Sequence, residues 1–265
     1  MISHLTNNDL LSLPELQPSG WDDITSDYAR FIKDPNCQAL KINIDDKIVA
    51  IGATIAHADT VWLAKIVTHP HYRHRGLGAK ITQALLDTID RNHYQTVYLE
   101  ATDLGYPVYQ KLGFEVETLY LHFDCSTFDR SKPSHKSIIL FEAKYSNALL
   151  ALDRQISGED RSDMVKQHIE QAQLFVKSGI LQGFYMPTLQ NGLIVAANQQ
   201  AGIALMELRL QKREFAIFPI DNLAALDFLF QHQIRPHKAS RRMRLGTQRA
   251  LQLHGLFNRI SGQLG

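Results

Sequence analysis

A chain of 265 residues is long for one compact domain and comfortable for two of ordinary size. Hydrophobic residues make up 45% and charged residues 21%, a globular composition in which each half can bury its own core. The formal net charge of +1 gives no field that favours nucleic acid or an anionic membrane, so neither is expected as a partner.

The two cysteines, Cys37 and Cys125, are far apart and outside any metal-ligand spacing. They read as reduced thiols. The N-terminus MISHLTNNDLLSLPEL has no basic start followed by an apolar run, so no signal peptide is expected. No stretch approaches the roughly 18 apolar residues of a membrane span. The chain reads as cytoplasmic, and its oligomeric state stays open.

In chain order, residues 21–34 show helical spacing through Trp21, Ile24, Tyr28 and Phe31. Residues 39–44 and 47–54 alternate as a hairpin around the turn Asp45-Asp46. Residues 61–67 form a third strand. A Pro/His/Arg/Gly-rich loop over 69–78 leads into a helix from Ala79 to about Asn92, with Ile81, Ala84, Leu85, Thr88 and Ile89 on one face. A strand at 96–101, a short helix at 105–112 stopped by Gly113, and a strand at 115–123 follow. The polar segment 124–137 reads as a linker, and 138–141 as a closing strand. The domain boundary is placed between residues 145 and 146, giving domains 1–145 and 146–265.

The second half opens on a charged turn, Gly158-Glu159-Asp160-Arg161, followed by a helix at 162–177. Strands are expected at 183–186 and 192–196, a helix at 199–212, a strand at 214–220, a helix at 222–233 and a strand at 242–245. This order echoes the end of the first half at an offset of 120 residues, a weak internal repeat. The run Arg241-Arg242-Met243-Arg244 reads as a solvated strand face.

The strongest chemical signal is Arg73-His74-Arg75-Gly76-Leu77-Gly78-Ala79, which follows a strand and opens a helix. Glycines at 76 and 78 leave room for backbone N–H groups around an anion, and the helix adds its positive end. The device suits a pyrophosphate, with Arg73 and Arg75 adding charge. The bland alternative is a glycine-rich turn that merely joins strand to helix.

The stretch Ile66-Val67-Thr68-His69-Pro70-His71-Tyr72-Arg73-His74-Arg75-Gly76-Leu77-Gly78 resembles the first signature of the GNAT (GCN5-related) N-acetyltransferase superfamily. Pro107-Val108-Tyr109-Gln110-Lys111-Leu112-Gly113-Phe114 is similar to the second. The resemblance covers roughly residues 20–125. The resemblance implies an α/β fold: a mixed, mostly antiparallel sheet with helices on both faces. It also implies direct acetyl transfer from acetyl-CoA to a primary amine, with no metal and no covalent acetyl-enzyme. Backbone groups of Ile66, Val67 and Thr68 would pair with the pantetheine arm, the Ile66 amide holding the acetyl carbonyl. Amides from His74 to Ala79 would hold the pyrophosphate. Tyr109 would protonate the departing thiolate.

Three positions depart from the family pattern. Thr102 and Gly105 stand where many members have Asn and Ala, and Trp62 stands where some carry a glutamate base. Other candidate bases are His57, Asp59, Glu100, His69 and His71, each also readable as a solvated surface group. The histidines at 69, 71 and 74 fit no common zinc spacing.

The second half resembles a degenerate GNAT-like module, so two tandem GNAT-like domains are expected. It has Asn222-Leu223-Ala224-Ala225 but Leu229 in place of the tyrosine, and only Gly202 near its strand–helix junction. One acetyl-CoA per chain is therefore expected. The second domain is expected to serve the acceptor side or stability alone. A small-molecule amine is the expected acceptor, because a second domain would hinder a bulky one. The competing class is an acyl-CoA-binding sensor without turnover.

Overall fold

The computed structural model describes residues 1–131 and 135–265. Contacts divide them into two units. The first holds 1–115 with 243–247 and 262–264; the second holds 116–242 with 248–261 and Gly265. The division by contacts therefore falls at 115/116, and position 146 opens a helix inside the second unit. Within the expected linker at 124–137, residues 132–134 lie outside the described residues.

The first unit begins with β1 (Ile2–His4) and α1 (Ile24–Phe31). The Asp23 carboxylate accepts the Thr25 and Ser26 amides at 2.9 and 3.2 Å, which fixes the start of α1 three residues beyond Trp21. Strands β2 (Cys37–Ile44) and β3 (Lys47–Ala56) form the expected hairpin. Asp45 and Asp46 both take left-handed backbone angles, as a two-residue hairpin turn demands. Then come β4 (Val61–Thr68), α2 (Leu77–Asp87), β5 (Thr96–Ala101) and α3 (Tyr106–Lys111).

These strands lie in the order β1-β2-β3-β4-β5, with residues 243–246 of a later strand beside β5. Every pair from β1 to β4 is antiparallel, and β4 with β5 is parallel. Leu77, Ile81 and Leu85 of α2 pack on Val49, Val61, Leu63, Val97 and Leu99. The alternating residues Trp62 and Tyr98 face the other way and meet ring to ring at 5.3 Å. Helix α2 is shorter than expected at its end, because the Thr88 hydroxyl turns back onto the Leu85 carbonyl at 2.7 Å.

The second unit contains β6 (Glu115–Asp124), β7 (Ile138–Leu140), α4 (Ser146–Ser157), α5 (Ser162–Lys166), β8 (Gln173–Lys177), β9 (Ile180–Met186) and β10 (Leu193–Ala196). It continues with α6 (Gln199–Leu210), β11 (Phe215–Pro219), α7 (Leu223–Gln231), β12 (Pro236–Gly246) and β13 (Leu256–Asn258). Strands run in the order β12-β6-β11, and a separate sheet runs β13-β10-β9-β8-β7. Three expectations are corrected here. The helix expected over 162–177 stops at Lys166. Ser178 and Gly179, both left-handed, turn β8 into a hairpin with β9. The strand at 138–140 pairs with β8, so it belongs to the second sheet and does not close the first half.

The third correction concerns charge. Arg242 is not on a solvated face: it is 1% exposed. Its Nε meets Glu117 at 3.0 Å, its Nη2 meets Glu159 at 3.3 Å, and Nη1 donates to the Tyr120 hydroxyl at 3.4 Å. Glu159 is wholly buried. Arg161, from the same charged turn as Glu159, holds Asp153 through two bonds of 2.9 Å. Buried carboxylates require such partners, since an unpaired charge in a low-dielectric core is costly. Arg242→Ala should therefore destabilise the protein by about 3–5 kcal/mol, the scale for breaking a buried pair from one side. Denaturant unfolding of the native and variant proteins checks this, and an unchanged midpoint would contradict it.

Candidate active site

The site starts from a fault in the sheet. Strands β4 and β5 register at Val61↔Val97 and Trp62↔Tyr98, and at no later pair among the described residues. Both strands nevertheless continue, to Thr68 and Ala101. On its other side β4 carries a bulge: Ala53 pairs with Ala64 and Ile51 with Val67, so Lys65 and Ile66 oppose the single residue Gly52. Gly52 is needed there, since a Cβ would stand 2.7 Å from Leu85 Cδ1 and 3.1 Å from Ile66 Cγ1. Lys65 takes a left-handed φ of 48°. The bulge turns the end of β4, residues Ile66, Val67 and Thr68, out of register with β5.

Beyond Thr68 the chain makes a tight turn over Pro70–Tyr72, where the His71 amide donates to His69 Nδ1 at 3.3 Å. His74 (φ 61°) and Gly76 (φ 73°) are both left-handed, which wraps the loop onto the start of α2. No side chain caps α2. Its first-turn amides, from Leu77, Gly78 and Ala79, belong to the group of donors that a helix cannot satisfy internally. The space beside them is open. A Cβ at Gly76 would meet nothing within 4 Å, and one at Gly78 would meet Thr68 Oγ1 at 3.7 Å. Arg73, His74 and Arg75 are exposed. The Arg75 guanidinium lies over the Tyr72 ring at 4.9 Å. The end of β4 and the open turn of α2 are thus neighbours, and the space beside that turn is unfilled by side chains.

Tyr109 sits on α3 with its ring edge-on to Phe114 at 6.1 Å. Burial pushes its phenol well above the ordinary tyrosine range, so it is a firmly protonated donor. Gly105 makes room for this ring: a Cβ there would stand 2.8 Å from Tyr109 Cε2. Thr102 opens α3, its hydroxyl accepting the Gly105 amide at 3.3 Å and its carbonyl the Tyr106 amide at 2.9 Å. Tyr109 also acts electrostatically on Tyr28 of α1, whose ionisation is opposed by burial first, then by Asp27 and Tyr109. The Tyr28 hydroxyl in turn donates to the Lys65 carbonyl at 2.9 Å. Neither Tyr28 nor Lys65 was marked by sequence: one reads as a core position, the other as an ordinary strand residue.

Trp62, in the place of a family base, is fully buried. His57, Asp59, Glu100 and His69 are half-buried and His71 is exposed. Gly262 lies against the Glu100 carboxylate, where a Cβ would come within 3.5 Å of its Cδ. Burial, with Asp34 next, pushes the Cys37 thiol up to about 12, and burial pushes Cys125 up to about 11. Neither is a thiolate nucleophile at neutral pH.

In the second unit the corresponding strand–helix junction is closed. The Asn198 side chain accepts the Ala201 amide at 3.0 Å and caps α6. Gly202 is filled against Phe257, whose Cζ would be 2.1 Å from a Cβ. Asn222 caps α7 through the Ala225 amide at 2.9 Å and donates to the Leu256 carbonyl at 3.1 Å. Its motif is a buried structural device here, and Leu229 is core.

Comparison with known proteins adds the following likenesses. Residues 14–124 match the family model described as the acetyltransferase (GNAT) domain. The chain is 24% identical over 128 residues to the uncharacterized N-acetyltransferase YitH of Bacillus subtilis, covering 48% of this chain and 45% of that protein. It is 29% identical over 83 residues to the [ribosomal protein bS18]-alanine N-acetyltransferase of Salmonella typhimurium, covering 30% of this chain and 56% of that one. The matches thus span about half the length of these relatives. A solved Pyrococcus horikoshii protein assigned as an acetyltransferase superimposes with a TM-score of 0.82 at 19% identity, over 100% of this chain and 95% of that one. A tandem GNAT protein from the clavulanic acid biosynthesis pathway superimposes with a TM-score of 0.62 at 13% identity, over 93% and 98%. The structural likeness is one of fold, and it extends through both units. Residues 14–124 of this chain are thus similar to the acetyltransferase (GNAT) domain.

Proposed function

We propose that the chain transfers an acetyl group from acetyl-CoA to a primary amine of a small molecule, directly and within a ternary complex. The observation that carries this reading is the open anion cradle of α2 beside the out-of-register end of β4. The cradle fits a pyrophosphate because Gly76 and Gly78 leave it unfilled and no side chain caps it. Acetyl-CoA brings the thioester. The Ile66 amide would donate to the acetyl oxygen as negative charge develops on it. Val67 and Thr68 would pair with the pantetheine amides through their backbone. Amides from His74 to Ala79 would hold the phosphates, with Arg73 and Arg75 adding charge. Tyr109 would give its proton to the sulfur as the carbon–sulfur bond breaks. The second unit, with α6 capped and filled, holds no second cofactor.

A second reading of the acceptor is favoured by the bacterial relative that acetylates a ribosomal-protein alanine. The acceptor would then be the N-terminal amine of a peptide. A thiol-release assay over small amines and an alanyl peptide separates the two. Tight acetyl-CoA binding with no release from any amine would replace both with a non-catalytic binder.

Gly78→Val tests the cradle cleanly, because its Cβ would make only an ordinary contact with Thr68 and its backbone is not left-handed. Calorimetric titration should show acetyl-CoA affinity weakened about 10-fold or more, the scale of one charge-assisted hydrogen bond. Unchanged affinity in the folded variant would remove the assignment. The native chain should bind one acetyl-CoA, and a stoichiometry near two would show a second site.

Tyr109→Phe should lower kcat by about 10- to 10⁴-fold, the range of a positioned acid, while affinity for acetyl-CoA holds. The pH profile gives a further check. A phenol held above its ordinary value of about 10 stays protonated through that pH, so Tyr109 imposes no alkaline loss of activity below it. An alkaline limb centred well below 10 that disappears in Tyr109→Phe would contradict the upward displacement of this phenol, while identifying Tyr109 as the ionising acid.

A further inference from the structure

The bulge in β4 is held from α1 at two points. The Tyr28 hydroxyl donates to the Lys65 carbonyl at 2.9 Å. The Lys65 ammonium pairs with Asp27 at 2.8 Å and lies over the Trp21 ring at 5.4 Å. Lys65 needs such support, because a left-handed φ is sparsely populated for a residue with a side chain and persists where the surroundings impose it. Tyr28 is fully buried, with its ring edge-on to Phe31 at 5.5 Å, so its hydroxyl has little freedom to aim elsewhere.

The carbonyl that Tyr28 holds is one end of the Lys65–Ile66 peptide. The other end is the Ile66 N–H. There are no cis peptides among the described residues, and in a trans peptide the C=O and the N–H lie in one plane and point in opposite directions. Fixing the carbonyl toward α1 therefore fixes the N–H away from α1. A hydrogen bond to the carbonyl also polarises the whole amide and makes its N–H a stronger donor.

We propose that Tyr28 is a positioning residue for acetyl transfer: by holding the Lys65 carbonyl it aims and strengthens the Ile66 amide that receives the acetyl oxygen. This rests on the acetyl-CoA reading above and adds to it the residue that sets the oxyanion donor. Tyr28 touches no reacting atom. Its phenol remains a donor at all working pH values, because burial, Asp27 and Tyr109 all oppose its ionisation.

The test is the carbonyl stretch of ¹³C-labelled acetyl-CoA bound to the full chain. Bound to the native protein, the thioester band should move to lower frequency under the Ile66 hydrogen bond. In Tyr28→Phe that displacement should shrink, and kcat should fall about 10-fold, the rate equivalent of one ordinary hydrogen bond, with acetyl-CoA affinity nearly unchanged. A fluorinated tyrosine placed at position 28 is nearly isosteric and a stronger donor, so it should deepen the displacement. That opposite sign cannot come from packing, and it decides the matter if Tyr28→Phe fails to fold. A native-sized displacement in either variant, with native kcat, would overturn the role of Tyr28 and leave the acetyl-CoA reading standing. Tight binding with no band displacement in the native protein would overturn the Ile66 assignment itself, and the inference with it.

Discussion

On the proposed reading the site depends on one conflict: an amide that is to bind a substrate must be withheld from the sheet, yet must not swing freely. A sheet pairs nearly every backbone N–H it contains. Here the bulge at Lys65 and Ile66 takes the end of β4 out of register with β5 while its ladder to β3 resumes at Val67 and Thr68. The fault is built from both sides. Gly52 lets Ile66 and Leu85 close over the inner face of the bulge, and α1 secures its backbone and its side chain.

The two units show the same strand–helix junction in two chemical states. At α2 the cap is a left-handed glycine with no side-chain oxygen, and the first turn faces open space. At α6 an asparagine cap satisfies the first turn and an aromatic ring fills the glycine face. A glycine cap forgoes roughly a few tenths of a kcal/mol relative to an asparagine cap, so the bare end of α2 carries a small stability cost that a bound anion can offset. That asymmetry follows from a few residues, since both junctions keep the strand, the helix and their packing.

Most elements of the first unit were legible in the sequence because their signals are local. Alternation placed β2 to β5 within a residue or two, and the glycine loop and Tyr109 carried their own motifs. What stayed hidden depends on partners distant in sequence. Helical periodicity ran on through Leu174, Phe175 and Val176 because nothing local marks β8 except its turn at Ser178-Gly179. Arg242 reads as a surface arginine until Glu117 and Glu159 are brought to it from 125 and 83 residues away. The contact boundary was equally invisible, since 243–247 return to the first unit through Thr247 and Gln95. Lys65 has no signal at all, because lysine does not announce a left-handed backbone.

The departures from the family pattern at Thr102 and Gly105 become intelligible as one local solution. With glycine at 105, the Tyr109 ring can settle where an alanine methyl would stand only 2.8 Å from it. That settled ring belongs to the core formed with α2 and Phe114, and its burial is what raises the phenol's affinity for its proton. Thr102, in place of asparagine, supplies the hydroxyl that accepts the Gly105 amide and so holds the turn from which α3 begins. Asparagine at the matching point of the second unit does the same work for α7, through Ala225. The capping function is therefore kept in both units by different side chains. The first unit adds the glycine that lets a tyrosine lie back over its own helix start, and the second fills the tyrosine's place with Leu229 and closes the core around it.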